Sequence, residues 1–364
     1  MLTVITPTYN RGSYLAETIQ SVLDQGIDRL EYIILDDGSQ DDTSSVVRKY
    51  LSKRWFRRSR ARVRYIRHEN IGETRTVNAG LAMVRTEFFT VVNSDDPLLP
   101  GSLQKVVGAL RSRPDALAAY PDWEVIDEDS IHVATIRVGA YDIGRMLTEG
   151  QVPIGPGACF RRAALDAIGF RNPLLRHSAD LDYWFRLALH GPLVHVPEVL
   201  ATHRVHPSSG SVSHRGTRFA EETAFLLAGY ARHPLLPRPQ RRYRALADAY
   251  GNFAAMFTCS SLLEAERRLL QGLMAHPAGM IGRCEAHGWN DVIGLFTQLG
   301  AAPRTGKAER WFARMLQSKD RATCFAAATR GVLSDPLGMI ALAQIEGAVS
   351  LTGFVKKLPR RQFR

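Results

Sequence analysis

The chain has 364 residues, of which 45% are hydrophobic and 23% are charged, a composition typical of a globular protein long enough for two domains. Its formal net charge of +11 favours anionic surfaces or substrates without identifying one. No run of 18 or more residues is apolar enough for a transmembrane helix, so none is predicted.

Strand-like and helix-like patterns alternate over residues 2–92. The apolar runs "LTVIT" (2–6), "YIILDDGS" (32–39), "VRYIRH" (63–68) and "FFTVV" (88–92) predict four strands. Helices are predicted between them: one after Gly12 with Leu15, Ile19 and Leu23 on one face, one at 43–51 and one at 74–84. This alternation predicts an α/β fold with a parallel sheet and right-handed crossovers.

Two residues are predicted to delimit the first helix. Ser13 is a candidate N-cap, because its hydroxyl can accept a hydrogen bond from a free backbone N–H of the first turn. Gly26 is a candidate C-terminal stop, because glycine readily adopts the left-handed conformation that ends a helix.

Three polar loops follow predicted strands: "TPTYNR" (6–11), "DDGSQDD" (36–42) and "NSDD" (93–96). Ligands of open α/β sheets bind outside the carboxyl ends of the strands. We therefore expect the three loops to converge on one rim of the sheet. Turn propensity explains each loop separately, but it does not explain their convergence.

Asp95 and Asp96 stand side by side after the fourth strand, where two like charges repel. One explanation is an ordinary turn, since Asp and Ser bond the local backbone and Pro97 follows at once. The other is a cation site, since hard divalent metals prefer carboxylate oxygens.

The segment "KRWFRRSRARVRYIRH" (53–68) is densely basic and contains aromatic residues. No recognised nucleic-acid motif accompanies it, so we expect no nucleic-acid partner and interpret it as a solvated face. A peripheral contact with an anionic membrane surface is the favoured alternative.

After about residue 215 the sequence becomes rich in Ala, Leu and Arg, which predicts a helical region. "AERRLLQGLMAHPAGM" (265–280) and "CFAAATRGVLSDPLGM" (324–339) form a weak repeat of a helix followed by a turn. The tail ends in "KKLPRRQFR", compatible with a packed helix with a basic end or with an interfacial helix.

The cellular compartment is predicted from the cysteines and from the N-terminus. Cys159, Cys259, Cys284 and Cys324 are widely spaced and lack metal-ligand spacing, so we expect reduced thiols. The sequence starts with a strand-like run rather than a signal-peptide pattern. The expected location is cytoplasmic, with peripheral contact at the inner membrane face as an option.

The motifs together resemble those of the inverting family 2 glycosyltransferases of the GT-A fold. The resemblance rests on six segments in the family's order: "VITPTYNR" (4–11), "YIILDDGSQDDT" (32–43), "NIGETRTVNAGL" (70–81), "VVNSDDPLLPGSL" (91–103), "ADLDYWFRL" (179–187) and "HRVHPSS" (203–209). It implies a Rossmann-like, mostly parallel sheet domain at 1–215, followed by a helical C-terminal region at 216–364 that lies outside the resemblance.

The resemblance implies a metal site at the acidic pair. Asp96 would bind Mn²⁺ or Mg²⁺ directly, and Asp95 would contact the donor's ribose or sugar, or the metal through water. His206 would be a histidine ligand, with His203 as the competitor. A cation there would stabilise the charge that develops on a leaving diphosphate.

The resemblance also places the donor nucleotide. Asp37 would contact the base, while Asp36 would be structural. Residues lining the nucleotide pocket would be Pro7, Thr8 and Tyr9. Arg75 would contact the diphosphate or the base, although the family's basic residue usually stands where this chain has Val77.

Asp180 is the implied general base, which takes the proton of the attacking acceptor hydroxyl. The family often has Glu beside it, where this chain has Ala179. Asp180 at the start of a predicted helix is also explained as a helix cap. Asp182 lies two residues further on. Gly155 and Gly157 would form a tight wall against the acceptor sugar.

The predicted function is transfer of a sugar from a nucleotide-sugar donor, preferentially a UDP-sugar, to a saccharide or lipid-linked acceptor in cell-surface polysaccharide or glycoconjugate synthesis. A sugar-phosphate nucleotidyltransferase is an alternative, but "TPTYNRGS" is a poor match to the glycine-rich, basic loop it needs. A catalytically inactive nucleotide-sugar-binding module is another, against which the intact acidic residues argue.

Overall fold

The computed structural model describes residues 1–51, 61–149, 154–175, 177–207, 217–276, 279–280, 282–284, 289–299, 314 and 331. The chain divides into two compact units. The first comprises Met1–Met146 and Gln151–Arg215, and the second comprises Leu147–Gly150 and Gly216–Arg364.

The first unit is built on an eight-stranded mixed sheet with the order β3-β2-β1-β4-β7-β5-β6, in which β8 also pairs with β5. Its strands are β1 (Leu2–Thr8), β2 (Leu30–Asp36), β3 (Arg62–Arg67), β4 (Phe88–Val91), β5 (Ala118–Ile126), β6 (His132–Ile136), β7 (Cys159–Arg161) and β8 (Leu193–Arg204). The α/β fold with a mostly parallel sheet is thereby confirmed.

The first four strands are parallel, and β1 lies between β2 and β4. In the register, Thr8 is opposite Asp36 and Ile5 is opposite Val91, so the three strands end at the same rim. The short strand β7 runs antiparallel to β4 and links this half of the sheet to β5.

Seven helices of the described chain begin in this unit: α1 (Gly12–Leu23), α2 (Thr43–Leu51), α3 (Glu73–Met83), α4 (Ser102–Ser112), α5 (Ile143–Glu149), α6 (Ala163–Ile168) and α7 (Ala179–His190). The predicted apolar face of α1 is confirmed at Leu15 and Ile19, which are buried. Together with Val4, Ile34 and Phe88 they belong to a core beneath the sheet. This core fixes the strands whose ends carry the polar loops.

The predicted N-cap of α1 is wrong. The helix begins at Gly12 with Arg11 as N-cap residue, and Ser13 is exposed within the first turn. The Gly12 N–H instead donates to Asp41 Oδ2 at 3.0 Å, so the loop after β2 caps the helix after β1. A Cβ at position 12 would lie 1.9 Å from Asp42 Oδ1, which explains the glycine.

The described part of the second unit is helical. It contains α8 (Thr217–Tyr230), a 3₁₀ turn (Arg238–Tyr243), α9 (Arg244–Met256), α10 (Leu262–Ala275) and α11 (Trp289–Gln298). α9 packs against α8 and α10. The second copy of the predicted repeat and the basic tail lie outside the described residues, apart from position 331. Within the described chain, no helix has the length and hydropathy required to span a membrane.

Candidate functional site

The structure brings the three polar loops of the rim into direct contact. The Asn10 N–H donates to Ser39 Oγ at 2.9 Å, and the Gln40 N–H donates to Asn10 Oδ1 at 2.8 Å. Arg11 Nε donates to Asp95 Oδ2 at 3.3 Å, which joins the first loop to the third. Asn10 has a φ of 51°, a left-handed conformation that Asn tolerates better than most residues. The loops therefore form one polar surface at the carboxyl ends of β1, β2 and β4.

Asp36 and Asp37 are both buried, but they have different partners. Asp36 accepts hydrogen bonds from the Ser39 N–H at 2.8 Å and from the Tyr65 hydroxyl, so it holds its own turn and β3. Asp37 accepts from the Ile71 N–H at 2.7 Å and the Gly72 N–H at 3.0 Å, which positions the loop before α3. Burial together with the Asp36 contact raises the pKa of Tyr65 to about 12, so this phenol remains a hydrogen-bond donor.

A side-chain contact adds to this arrangement. His68 Nδ1 lies 3.5 Å from Asp37 Oδ1. An ionised carboxylate offers about four acceptor positions. His68 Nδ1 also lies 2.7 Å from the Glu69 carbonyl, so the hydrogen bonds that Asp37 accepts come from the Ile71 and Gly72 N–H groups, and acceptor positions remain for a further donor.

The predicted nucleotide-pocket residues lie at the end of β1. Pro7 and Thr8 are buried, whereas Tyr9 is exposed and faces solvent beside them. The Thr8 carbonyl accepts from the Asp37 N–H at 2.9 Å. The Thr8 hydroxyl has no hydrogen-bond partner among the described residues. Buried hydroxyls usually have a partner, so this one can bond a water molecule or a polar atom of a ligand at the end of β1.

The two carboxylates of the acidic pair point to different partners. Asp95 Oδ2 accepts from Arg11 and lies 3.1 Å from His206 Nε2. Asp96 is more deeply buried, and it accepts from the Arg204 N–H and from Asn93 Nδ2, each at 2.8 Å. Like charges therefore coexist here because separate hydrogen-bond donors satisfy each carboxylate.

The two histidines of the "HRVH" segment divide between the acidic pair. His206 is buried, pairs with Asp95 rather than Asp96, and packs on the Tyr14 ring at 4.8 Å between centroids. His203 Nδ1 lies 3.5 Å from Asp96 Oδ1. Burial by itself lowers the pKa of His203, but the hydrogen bond to Asp96 and the charges of both aspartates outweigh it, so the pKa is raised.

No group of three or more His, Cys, Asp and Glu side chains in the described chain is arranged as a metal site. The donor set nevertheless fits a hard divalent cation in kind, since Asp95 and Asp96 supply carboxylate oxygens and His206 supplies an imidazole. The guanidinium of Arg11 at present shares Asp95 Oδ2 with His206. Binding a cation through that oxygen requires one of these donors to move.

Glu73, the first residue of α3, was missed by the sequence reasoning. The residue is exposed. Desolvation of its carboxyl nevertheless raises the pKa, and the charges of Asp180, Asp95 and Asp96 raise it further against the opposing effect of Arg171. Glu73 is thus within electrostatic range of both the acidic pair and the predicted base. Its position directly after Gly72, where the third helix meets the rim, was the available signal. Arg75 lies exposed in the same first turn.

The segment before α7 is fixed on α3. Asn78 and Arg171 exchange two hydrogen bonds, with Asn78 Nδ2 donating to the Arg171 carbonyl at 2.8 Å and the Arg171 N–H donating to Asn78 Oδ1 at 2.9 Å. Thr74 Oγ1 lies 3.5 Å from the Leu175 carbonyl. These contacts bring the start of α7 towards the start of α3.

Asp180 and Asp182 occupy different environments in the first turn of α7. Asp180 is exposed, and its Oδ1 accepts from the Leu181 N–H at 2.7 Å. Asp182 is buried and pairs with Arg186, whose nearest nitrogen lies at 2.8 Å. Ser178, not Asp180, is the N-cap residue. Asp180 is therefore accessible to a substrate, and Asp182 is part of the packing.

The predicted glycine wall packs against protein. A Cβ at Gly155 would lie 2.3 Å from Trp123 Nε1, and a Cβ at Gly157 would lie 2.6 Å from Ala201 Cβ. Gly157 also has a φ of 81°, which favours glycine. Both glycines therefore allow close approach to β5 and β8, and contact of either one with an acceptor stays a prediction.

The part of the chain that carries these loops is similar to known proteins. Residues 3–169 match the family model described as glycosyl transferase family 2. An uncharacterized glycosyltransferase of Rickettsia felis is 26% identical over 225 residues, covering 58% of this chain and 35% of that protein. The GalNAc(5)-diNAcBac-PP-undecaprenol beta-1,3-glucosyltransferase of Campylobacter jejuni is 36% identical over 108 residues, covering 29% of this chain and 33% of that protein. The chain thus spans about a third of the length of these two curated relatives.

Solved structures share the fold at low sequence identity. S. aureus TarS in complex with UDP-GlcNAc has a TM-score of 0.57 and 16% identity, covering 95% of this chain and 92% of that one. The mannosyltransferase PcManGT from Pyrobaculum calidifontis, in complex with GDP-Man and Mn²⁺, has a TM-score of 0.52 and 19% identity, covering 92% of this chain and 87% of that one.

Proposed function

Because residues 3–169 of the chain belong to glycosyl transferase family 2, we propose that the protein transfers a sugar from a nucleotide-sugar donor to a saccharide or lipid-linked acceptor with inversion at the anomeric carbon. The observation that carries the proposal is the junction of three strand-end loops, which carry Asp37, Asp95 and Asp96 and are joined by hydrogen bonds of Asn10 and Arg11. The name of the Campylobacter jejuni relative, a GalNAc(5)-diNAcBac-PP-undecaprenol beta-1,3-glucosyltransferase, supports a saccharide or lipid-linked acceptor. We further propose a role in cell-surface glycan synthesis.

The donor is a UDP-sugar. Asp37 accepts hydrogen bonds from the Ile71 and Gly72 N–H groups and keeps acceptor positions for a further donor. The imide N–H of uracil is a donor that such a carboxylate can accept from. The Thr8 hydroxyl and the exposed Tyr9 ring complete the nucleotide side of the site. The UDP-GlcNAc complex of TarS supports the same choice.

Asp180 is the general base. It is exposed at the start of α7, and one of its oxygens stays free of the Leu181 N–H bond. It takes the proton of the acceptor hydroxyl while that oxygen forms a bond to the anomeric carbon. The bond from the anomeric carbon to the phosphate oxygen breaks on the opposite face, and its electron pair leaves with the nucleoside diphosphate.

Asp95, Asp96 and His206 are the residues that would hold Mn²⁺ or Mg²⁺. Such a cation stabilises negative charge on a leaving diphosphate as a Lewis acid. The Mn²⁺ in the PcManGT complex supports a reaction that depends on a cation. Arg11 pairs with Asp95 in the present arrangement, and it is placed to contact a phosphate once Asp95 binds a cation.

The test is a binding panel read by saturation-transfer difference NMR. UDP-, dTDP- and GDP-sugars are compared with Mn²⁺ or Mg²⁺ and again with excess EDTA. We expect transfer of saturation to the uracil and sugar protons of a UDP-sugar, and its loss in EDTA. Binding of none of the nucleotide sugars would refute the proposal, and equal binding of the GDP-sugar would refute the choice of a UDP-sugar as donor.

A further inference from the structure

Arg204, the last residue of β8, is a fully buried arginine whose guanidinium the proposed mechanism does not use. It is 1% exposed. Burying a charge is costly unless hydrogen bonds and an opposite charge compensate it. The hydrogen-bond acceptors around the Arg204 guanidinium must therefore compensate its buried charge.

The guanidinium connects three segments that are distant in sequence. Its Nη2 donates to Glu17 Oε2 on α1 at 2.6 Å. Its Nε donates to the Asp95 carbonyl at 3.0 Å, and Nη1 donates to the Asp127 carbonyl at 3.0 Å and to Ser130 Oγ at 2.9 Å. The planar fork of arginine suits several acceptors in fixed directions, which a lysine could not satisfy.

The same residue also orients the second carboxylate of the acidic pair. The Arg204 backbone N–H donates to Asp96 Oδ1 at 2.8 Å. Arg204 thus holds the main chain of Asp95 and the side chain of Asp96 at once. The guanidinium additionally lies over the Tyr14 ring at 4.9 Å, and His206 also packs on that ring.

α1 supports the acidic loop along a polar stripe. Thr18 Oγ1 donates to the Ser94 carbonyl at 3.0 Å, and Ser21 Oγ accepts from the Leu98 N–H at 2.9 Å. Glu17 lies on the same helix, and its bond to Arg204 connects α1 to the end of β8. Residues three and four apart share one helix face, which is why a single helix can make these contacts in series.

Ser130 connects Glu17 with Arg204 and has a strained backbone conformation. It has a φ of 64°, a left-handed conformation that is unfavourable for residues other than glycine. Its hydroxyl donates to Glu17 at 2.9 Å and accepts from Arg204. A serine retained in a glycine conformation indicates that the hydroxyl contributes through these bonds.

We propose that Arg204 is a positioning residue that presets the Asp95–Asp96 pair for its ligand, and that Glu17 and Ser130 hold its guanidinium in place. The inference rests on the proposed function, since it assigns the ligand of the acidic pair to a cation and a nucleoside diphosphate. Glu17 and Ser130 bond the guanidinium and each other, so they act on the acidic pair through Arg204.

The test uses Glu17→Gln and Ser130→Gly in the full chain, because direct replacement of the buried Arg204 removes too many contacts to be read alone. The matched control is Asp24→Asn, an exposed carboxylate at the end of the same helix that contacts Gln20. Mn²⁺ affinity is measured by electron paramagnetic resonance without nucleotide, and UDP affinity is measured by calorimetry with Mn²⁺. Melting temperatures are measured in parallel.

We expect Glu17→Gln and Ser130→Gly to weaken Mn²⁺ and UDP binding by roughly three- to tenfold, less than the full effect of one charge-assisted hydrogen bond because the loss reaches the acidic pair through Arg204. Asp24→Asn should bind as the wild type does. Ser130→Gly separates positioning from stability, because glycine relieves the strained backbone and the melting temperature should hold or rise while binding weakens.

Two outcomes overturn the inference. If both variants bind Mn²⁺ and UDP as Asp24→Asn does, Arg204 has no positioning role. If binding falls only together with the melting temperature, and Ser130→Gly binds normally, the network is structural. Failure of the wild type to bind UDP or Mn²⁺ would instead overturn the proposed function, and this inference with it.

Discussion

Replacement of Asp180 by Asn separates chemistry from stability. Asn keeps the shape of the side chain, and its Oδ1 can still accept from the Leu181 N–H, but it cannot accept a proton from an acceptor hydroxyl. Loss of a positioned base should lower the transfer rate by roughly a hundred to ten thousandfold. This corresponds to about 3 to 5 kcal/mol of transition-state stabilisation.

The structural effect of the same change is small. Asp180 is exposed in the first turn of α7, and the lost charge near a helix N-terminus costs about 0.3 to 1 kcal/mol. UDP affinity should remain within about twofold of the wild type, because the proposed role of Asp180 is to accept a proton and not to bind the donor. A twofold change in affinity corresponds to less than about 0.5 kcal/mol. The expected loss of rate therefore exceeds any loss through folding by several orders of magnitude.

Asp182→Asn should show the converse. Asp182 is buried and paired with Arg186, which also donates to the Ile168 and Phe170 carbonyls. Removing the charge of a buried, hydrogen-bonded pair costs about 1.5 to 3 kcal/mol. We expect a lowered melting temperature and a transfer rate per folded molecule close to that of the wild type.

The assay measures UDP release from the donor that binds in the NMR panel, together with thermal unfolding and UDP titration of each variant. If Asp180→Asn retained the wild-type rate, the base would lie elsewhere. If Asp180→Asn lost UDP binding as well, its carboxylate would be structural. If Asp182→Asn abolished transfer while remaining folded, the assignment would be wrong by two residues.

Three further predictions concern the rest of the site. Asp96→Ala should abolish cation-dependent UDP binding and lower transfer by roughly a thousandfold or more, and unchanged kinetics in Mn²⁺ would contradict the ligand assignment. The raised pKa of Glu73 means that the folded state binds its proton more tightly than the unfolded chain, so stability is lost as pH rises above the ordinary value of 4.5. Glu73→Gln should therefore raise the melting temperature at about pH 8 and leave it unchanged at about pH 4, and an equal shift at both pH values would refute this account. Truncation after Thr217 should leave UDP binding intact and impair stability or acceptor use. Loss of UDP binding by the folded truncated protein, measured by calorimetry, would contradict this prediction.

Much of the parallel half of the sheet could be predicted from the sequence. The four strands and α2 follow from local apolar runs and periodicity, which depend on neighbouring residues alone. The start of α1 could not be predicted in this way, because its cap is Asp41 from another loop rather than Ser13. Caps supplied across the fold leave no signal in the local sequence.

The clustering of the acidic residues of the candidate site could be predicted from the sequence, but their hydrogen-bond partners could not. Asp37, Asp95 and Asp96 stand at strand ends, so the general rule for α/β sheets places them together. Glu73 and Arg204 were missed because their roles depend on long-range contacts: Glu73 through the charges of three aspartates, and Arg204 through Glu17 and Ser130. A buried arginine and a strained serine are visible only once the chain is folded.

The most direct measurement of the central claim is the anomeric configuration of the sugar that the protein releases from an α-linked UDP-sugar in the presence of Mn²⁺. Proton NMR recorded before mutarotation identifies the first product, whether the acceptor is water or a saccharide. The account predicts that the wild-type protein releases UDP and gives the β-anomer as the first product. The Asp180→Asn variant should release little UDP. An α-anomer as the first product, or no UDP release from a protein that binds UDP, would contradict it.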